Sequence, residues 1–353
     1  MSVTEVSVSA GPSHHRHNMS QYEWAAMGRS LGTSSSALQD ARLSALLARL
    51  HNRVVMLVGD SSLRNQFMQL ARVGLAIDKN TPVAKAASQR AHTGALSLSS
   101  ALRQSDRPDS SNGFWGGFSW MVASTAFNAT LIYAKVWGCS DLSDVVSRMH
   151  TVALRHRLRN GGLGGWPPHL VFWNFGLHLL HVYPARPVPT ASVRCALNYD
   201  GLLFDSARVL RRLLPTSTLA YRTTNAVCDV RFDGPWASAA RAYHCAGAKG
   251  ARDPCVMTKR GMRIVEACRR RYNASQKQCV ESFMDESNSR AQMRAAYAVL
   301  QGARCAPLRV AVFDAFTLTA GRCDATVDGR HYPRLLARVN ARMLQMAVAA
   351  VDA

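Results

Sequence analysis

Acyl transfer through a serine requires a hydroxyl held at a tight turn, an imidazole to take its proton, and a carboxylate to hold that imidazole in one tautomer. This chain carries all three residue types in fitting places. Val54-Val55-Met56-Leu57-Val58 is an unbroken apolar run, Gly59 permits a sharp turn, and Leu63, Phe67 and Leu70 follow at helical spacing. Ser61, in Gly59-Asp60-Ser61-Ser62, therefore stands where a buried strand passes into a helix. Unpaired backbone N–H groups and the positive helix end stabilise an oxyanion there. The same tripeptide also reads as a plain turn in which Asp60 or Ser61 only caps the helix. Near the other end, Asp328-Gly329-Arg330-His331 sets a carboxylate three residues before a histidine, downstream of an apolar segment at 308–313. Ser61, Asp328 and His331 form a candidate Ser-Asp-His set, with Asp324 the nearest rival acid.

These residues have to be brought together by regular elements, and the hydrophobic pattern alternates accordingly. Helical spacing is read over 38–50, 142–158, 202–214, 292–300 and 335–351. Strands are expected within 118–136 as a pair, and at 170–173, 218–221 and 308–313. Alternation of this kind predicts an α/β fold, a mostly parallel sheet covered on both faces, with ligands at the carboxyl ends of the strands. Ser61, Asn174 and the loop leading to Asp328 all follow expected strands. Residues 1–35 read as a polar, disordered tail and 36–353 as one domain, with insertions at about 79–117 and 228–305.

Gly59-Asp60-Ser61 with Arg64-Asn65-Gln66 behind it, and Asp328-x-x-His331-Tyr332, resemble the motifs of the SGNH-type PC-esterase family. That family includes the plant trichome-birefringence-like polysaccharide O-acetyltransferases. Segments 127–133, 170–178 and 219–224 resemble it in the same order. The first cysteine is Cys139, whereas plant members have cysteines in the N-terminal half, and Tyr332-Pro333 replaces a tryptophan common after the histidine. The resemblance implies an SGNH-hydrolase-like three-layer α/β/α sandwich with Ser61 as nucleophile, His331 as base and Asp328 as its acid. It implies an oxyanion site built from the Ser61 N–H, the Asn174 amide and the Gly176 backbone. It also implies O-acetylation of a carbohydrate hydroxyl from an acyl donor without a tightly bound cofactor, in the secretory pathway or Golgi lumen. An acetylesterase would use the same triad, and a non-catalytic basic protein binding glycan or nucleic acid is the alternative of another class.

Further residues read in more than one way. Asn174 ends an apolar strand and equally suits a helix cap. Arg64 and Arg222 fit either substrate contact or structural ion pairs. Phe114-Trp115-Gly116-Gly117-Phe118-Ser119-Trp120 is an aromatic segment in which Trp115 and Trp120 suit a sugar platform or a loop anchor.

The net charge is +21, and 37 of the 43 basic residues are arginine. They are scattered, and no nucleic-acid motif, zinc-finger spacing or phosphate loop accompanies them, so no specific nucleic acid is expected. Eight of nine cysteines lie between Cys195 and Cys323, and Cys228, Cys245, Cys255, Cys268, Cys279 and Cys305 frame a polar insertion. Disulfides within it are expected, with free buried thiols as the alternative; the spacings do not favour a metal. Sequons at Asn18, Asn128 and Asn273 are compatible with a secretory lumen. No apolar stretch is long enough to span a membrane and no signal peptide is read at the start, which keeps a cytoplasmic location as the alternative.

Overall fold

The computed structural model of the chain describes residues 33–74, 120–124, 129–136, 142–143, 145–147, 167–180, 198–228, 231, 243–244, 256–257, 259–281 and 284–352. Its strands in chain order are β1 (Val54–Gly59), β2 (Trp120–Ser124), β3 (Thr130–Lys135), β4 (Leu170–Trp173), β5 (Thr218–Arg222), β6 (Tyr243–His244), β7 (Val256–Met257) and β8 (Val310–Phe313). The α-helices are α1 (Thr33–Ala48), α2 (Ser61–Gly74), α3 (Gly176–Leu179), α4 (Tyr199–Leu213), α5 (Lys259–Tyr272), α6 (Gln276–Glu281), α7 (Glu286–Leu300), α8 (Ala315–Thr319) and α9 (Leu336–Asp352).

A strand without polar alternation must be buried on both faces. β1 is such a strand, buried at all six positions, and it lies inside a six-stranded sheet of order β2-β3-β1-β4-β5-β8. Five strands run parallel, and β2 joins antiparallel at the β3 edge. β6 and β7 form a separate antiparallel pair.

Alternate residues of each strand feed two cores. Val55, Leu57, Leu131 and Phe172 face Leu43 and Leu47 of α1, Phe67 and Leu70 of α2, and Met343 and Leu344 of α9. Met56, Val58, Ile132, Trp173 and Tyr221 face Leu203, Ala207 and Leu210 of α4 and Ala296 and Leu300 of α7. Helices thus cover both faces, as the alternating pattern predicts. The chain leaves β1 toward β3 on one side and returns to β4 on the other. Loops after β1 and β4 therefore diverge from a topological switch point, where such sheets form a crevice.

Several boundaries differ from expectation for local reasons. β8 starts at Val310 because Ala306–Leu308 is a 3-10 turn and Arg309 is left-handed, with φ 49°. α7 starts at Glu286, six residues early, because Asp285 caps it through Asn288 N at 2.6 Å, a polar start that apolar periodicity does not register. The helix expected over 142–158 is seen at 142–143 and 145–147, and the remainder lies outside the described residues. The 79–117 insertion also lies outside them.

Disulfides form in the cysteine-rich stretch, as expected, though not all of them within its 228–305 bounds. Cys268 pairs with Cys279, joining α5 to α6, but Cys228 pairs with Cys323, beyond the insertion, and Cys305 is a buried free thiol. Cys228 therefore ties the segment after β5 to the turn ahead of Asp328 rather than closing a separate cross-linked unit.

Candidate active site

The turn after β1 is built by close approach. A Cβ on Gly59 would lie 2.7 Å from the Asn174 carbonyl oxygen, so only glycine lets the β1 and β4 ends meet at this distance. Tyr133 of β3 donates its hydroxyl hydrogen to the Gly59 and Asp60 carbonyls, at 3.0 and 3.3 Å. Asp60 Oδ1 accepts from Ser62 N at 2.8 Å, so Asp60 is the cap and Ser61 is left free of that duty. Ser61 occupies the first position of α2, where backbone amides have no intrahelical partner.

Opposite lies the loop between α8 and α9. His331 Nε2 is 2.7 Å from Ser61 Oγ, and His331 Nδ1 is 2.5 Å from Asp328 Oδ2. A carboxylate only accepts, so Nδ1 carries the proton toward Asp328 and Nε2 is left to accept from the serine hydroxyl. Residues 270 positions apart in the chain are thus joined in one hydrogen-bonded line. Asp328 Oδ1 also accepts from the backbone N–H groups of His331 and Arg330, at 2.8 and 3.1 Å, and Arg330 Nε lies 3.3 Å from Oδ2. Burial would raise the Asp328 pKa. Attraction to the His331 ring when it is protonated, the hydrogen bonds from His331, and Arg330 outweigh it and hold the carboxyl well below the usual range. Asp324 is not in this line: it faces Arg322 at 3.0 Å on the surface, and that pairing keeps its carboxyl low.

Asn174 follows β4 and is fully buried. Its Nδ2 donates to the Arg222 carbonyl at 2.6 Å, and its Oδ1 accepts from Gly176 N at 3.2 Å. One amide proton of Asn174 and the Gly176 N–H are therefore committed inside the loop, which leaves the second Asn174 proton and the Ser61 N–H as the unused donors of the expected oxyanion group. Gly176 is held to its backbone position by Thr224, whose Oγ1 would lie 1.2 Å from a Cβ there.

Arg222, at the end of β5, takes the structural of its two expected roles, with neutral acceptors in place of an ion-pair partner. It is 2% exposed and its guanidinium reaches Gln66 Oε1, the Thr223 carbonyl and Asn225 Oδ1 at 2.6, 2.8 and 2.6 Å. Burial lowers its pKa to about 10, with the Asp60 charge acting in the opposite sense, and it stays protonated at neutral pH. Arg64 is partly exposed in the first turn of α2. Trp120 opens β2 at the sheet edge, and Trp115 lies outside the described residues.

Tyr133 and Gln66 stand in the motif segments but carry no individual role there, and Asn225 lies just past the segment 219–224. The signal for Gln66 was its place three residues after Leu63 and four before Leu70 on the amphipathic α2, a polar residue on the buried side. Among the described residues no cluster of three or more His, Cys, Asp or Glu is gathered as for a metal ion, and no helix is long and apolar enough to cross a membrane. No protein-family model matches the chain, and no curated protein matches it.

Proposed function

We propose that the chain is a serine-dependent O-acyltransferase of the SGNH type that acetylates a carbohydrate hydroxyl through an acyl-Ser61 intermediate. The observation that carries this reading is the line Ser61 Oγ, His331 Nε2, His331 Nδ1, Asp328 Oδ2, with separations of 2.7 and 2.5 Å at its two hydrogen bonds. Ser61 Oγ attacks the acyl carbonyl while His331 Nε2 takes its proton, and Asp328 stabilises the imidazolium that forms. The Ser61 N–H and the second Asn174 amide proton face the developing oxyanion. His331 then gives the proton to the departing group. In the second half, it removes a proton from the acceptor hydroxyl, which attacks the acyl-Ser61 carbonyl and restores the free serine.

The choice of a sugar acceptor rests on the resemblance of the Gly59-Asp60-Ser61 and Asp328-x-x-His331 motifs to polysaccharide O-acetyltransferases. The disulfides Cys228–Cys323 and Cys268–Cys279 agree with maturation in an oxidising secretory compartment. Purified protein given a labelled acetyl donor and a panel of neutral and acidic glycans should form acetylated sugar faster than free acetate, and Ser61→Ala should form neither. Ser61-dependent acetate with no acetylated sugar would make the protein an esterase. The absence of any Ser61-dependent reaction would make it a binding protein.

A further inference from the structure

The candidate nucleophile and its acid–base loop sit on elements far apart in sequence, and one buried side chain joins them. Arg222 Nε holds Gln66 on α2, five residues after Ser61, at 2.6 Å. Its Nη2 holds Asn225 Oδ1 at 2.6 Å, and Asn225 Nδ2 in turn donates to the Arg330 carbonyl, one residue before His331, at 3.0 Å. The Arg222 carbonyl accepts from Asn174 Nδ2 at 2.6 Å. One residue at the end of β5 thus touches the α2 helix, the β4 end and, through Asn225, the Asp328–His331 loop. A guanidinium buried to this depth on neutral acceptors is costly unless its bonds are all made. Its planar fork also fixes the angles between the groups it joins, which an ammonium does not.

We propose that Arg222 is a positioning residue that sets the Ser61–His331 distance by coupling Gln66 to Asn225 and the triad loop. This inference rests on the acyl-transfer reading above. Displacement of reacting groups by about 1 Å costs on the order of 10²-fold in rate. The cleanest probe is Asn225→Asp. A carboxylate there pairs the buried guanidinium more strongly than the amide does, yet has no proton to give the Arg330 carbonyl. The variant keeps the Arg222 bond and breaks the loop bond.

Full-length wild type, Asn225→Asp and Arg222→Lys are reacted with a fluorophosphonate probe across concentrations, with Ser61 occupancy read by peptide mass mapping and folding by thermal melting. Asn225→Asp should melt at or above the wild-type temperature while its limiting labelling rate falls by roughly 10- to 100-fold at an unchanged probe half-saturation. Arg222→Lys should show the same rate loss in its folded fraction. Wild-type labelling at Ser61 in both folded variants would overturn the positioning role and leave acyl transfer standing. A wild type that is not labelled at Ser61 would overturn both.

Discussion

At the scale of single residues, the chemistry depends on how Asp328 is loaded. Five contacts converge on this carboxylate, from the His331 ring and backbone, the Arg330 backbone and guanidinium, and the Thr326 hydroxyl. A depressed carboxylate contributes stability above its unfolded pKa and loses it as pH falls through the folded value. That value lies well below the ordinary range, so Asp328 stays ionised and holds His331 throughout mildly acidic conditions. Asp328→Asn should slow acylation of Ser61 by up to about 10⁴-fold, because an amide presents the wrong partner to Nδ1. Asp324→Asn should leave acylation near wild type, since its partner is Arg322. Initial rates of probe labelling compare the two. Loss on Asp324→Asn with an unaffected Asp328→Asn would reverse the assignment of the acid.

At the scale of elements, one glycine and one helix cap govern how the parts meet. Gly59→Ala drives a Cβ to 2.7 Å of the Asn174 carbonyl, where backbone rather than a flexible side chain must yield. It should cost about 1–3 kcal/mol by denaturant melting and slow labelling of Ser61. Asp285, the cap of α7, is the opposite case. Burial, against the hydrogen bonds from Asn288 and Ser287, raises its pKa to about 6, above the ordinary carboxylate range. The folded state then binds the proton more tightly than the unfolded one, so stability falls as pH rises from about 4 to about 6 and levels off above. Asn is also a strong cap. Asp285→Asn should therefore match wild type near pH 4 and exceed it by on the order of 1–2 kcal/mol at pH 7.5, as urea melts at the two pH values would show. A gain of equal size at both would refute the buried charge as its cause.

The same elements show what the sequence discloses. β4 lies at 170–173 as expected because four consecutive apolar residues are buried without interruption. Ser61 and His331 were visible because each sits in a short motif whose residue types have a shared chemistry. The joint role of Arg222, Gln66 and Asn225 was not, because it is relational: an arginine after a strand becomes a buried junction only when α2 and the 328–331 loop arrive around it. The Cys228–Cys323 pair was hidden for the same reason, eight cysteines between Cys195 and Cys323 leaving its partner open.

Over the whole molecule, the fold brings a long chain back to one point. The Cys228–Cys323 disulfide spans 95 residues, and Cys228 N also donates to the Gly329 carbonyl at 2.7 Å, beside Asp328. Replacing both cysteines by serine should cost about 2–5 kcal/mol, by thermal or denaturant melting, and should loosen the acid–base loop. Charge acts at this scale too. The net charge is +21, and residues 259–281 carry seven Lys or Arg against two Glu on a hairpin clamped by Cys268–Cys279. Acidic glycans should therefore outcompete neutral ones as acceptors at low salt, and lose that advantage as the Debye length contracts to about 8 Å near physiological ionic strength and further beyond it. Acceptor preference that is independent of salt would remove surface charge from the account.

In the proposed reaction Ser61 carries the acyl group between donor and acceptor. The most direct measurement of this is mass mapping of the full chain quenched with acid soon after mixing with a labelled acetyl donor, with and without a glycan chase. Acetyl label on the Ser61 hydroxyl, absent from Ser61→Ala and discharged faster when glycan is present, is the predicted result. Label on Ser62, or sugar acetylation that persists in Ser61→Ala, would contradict it.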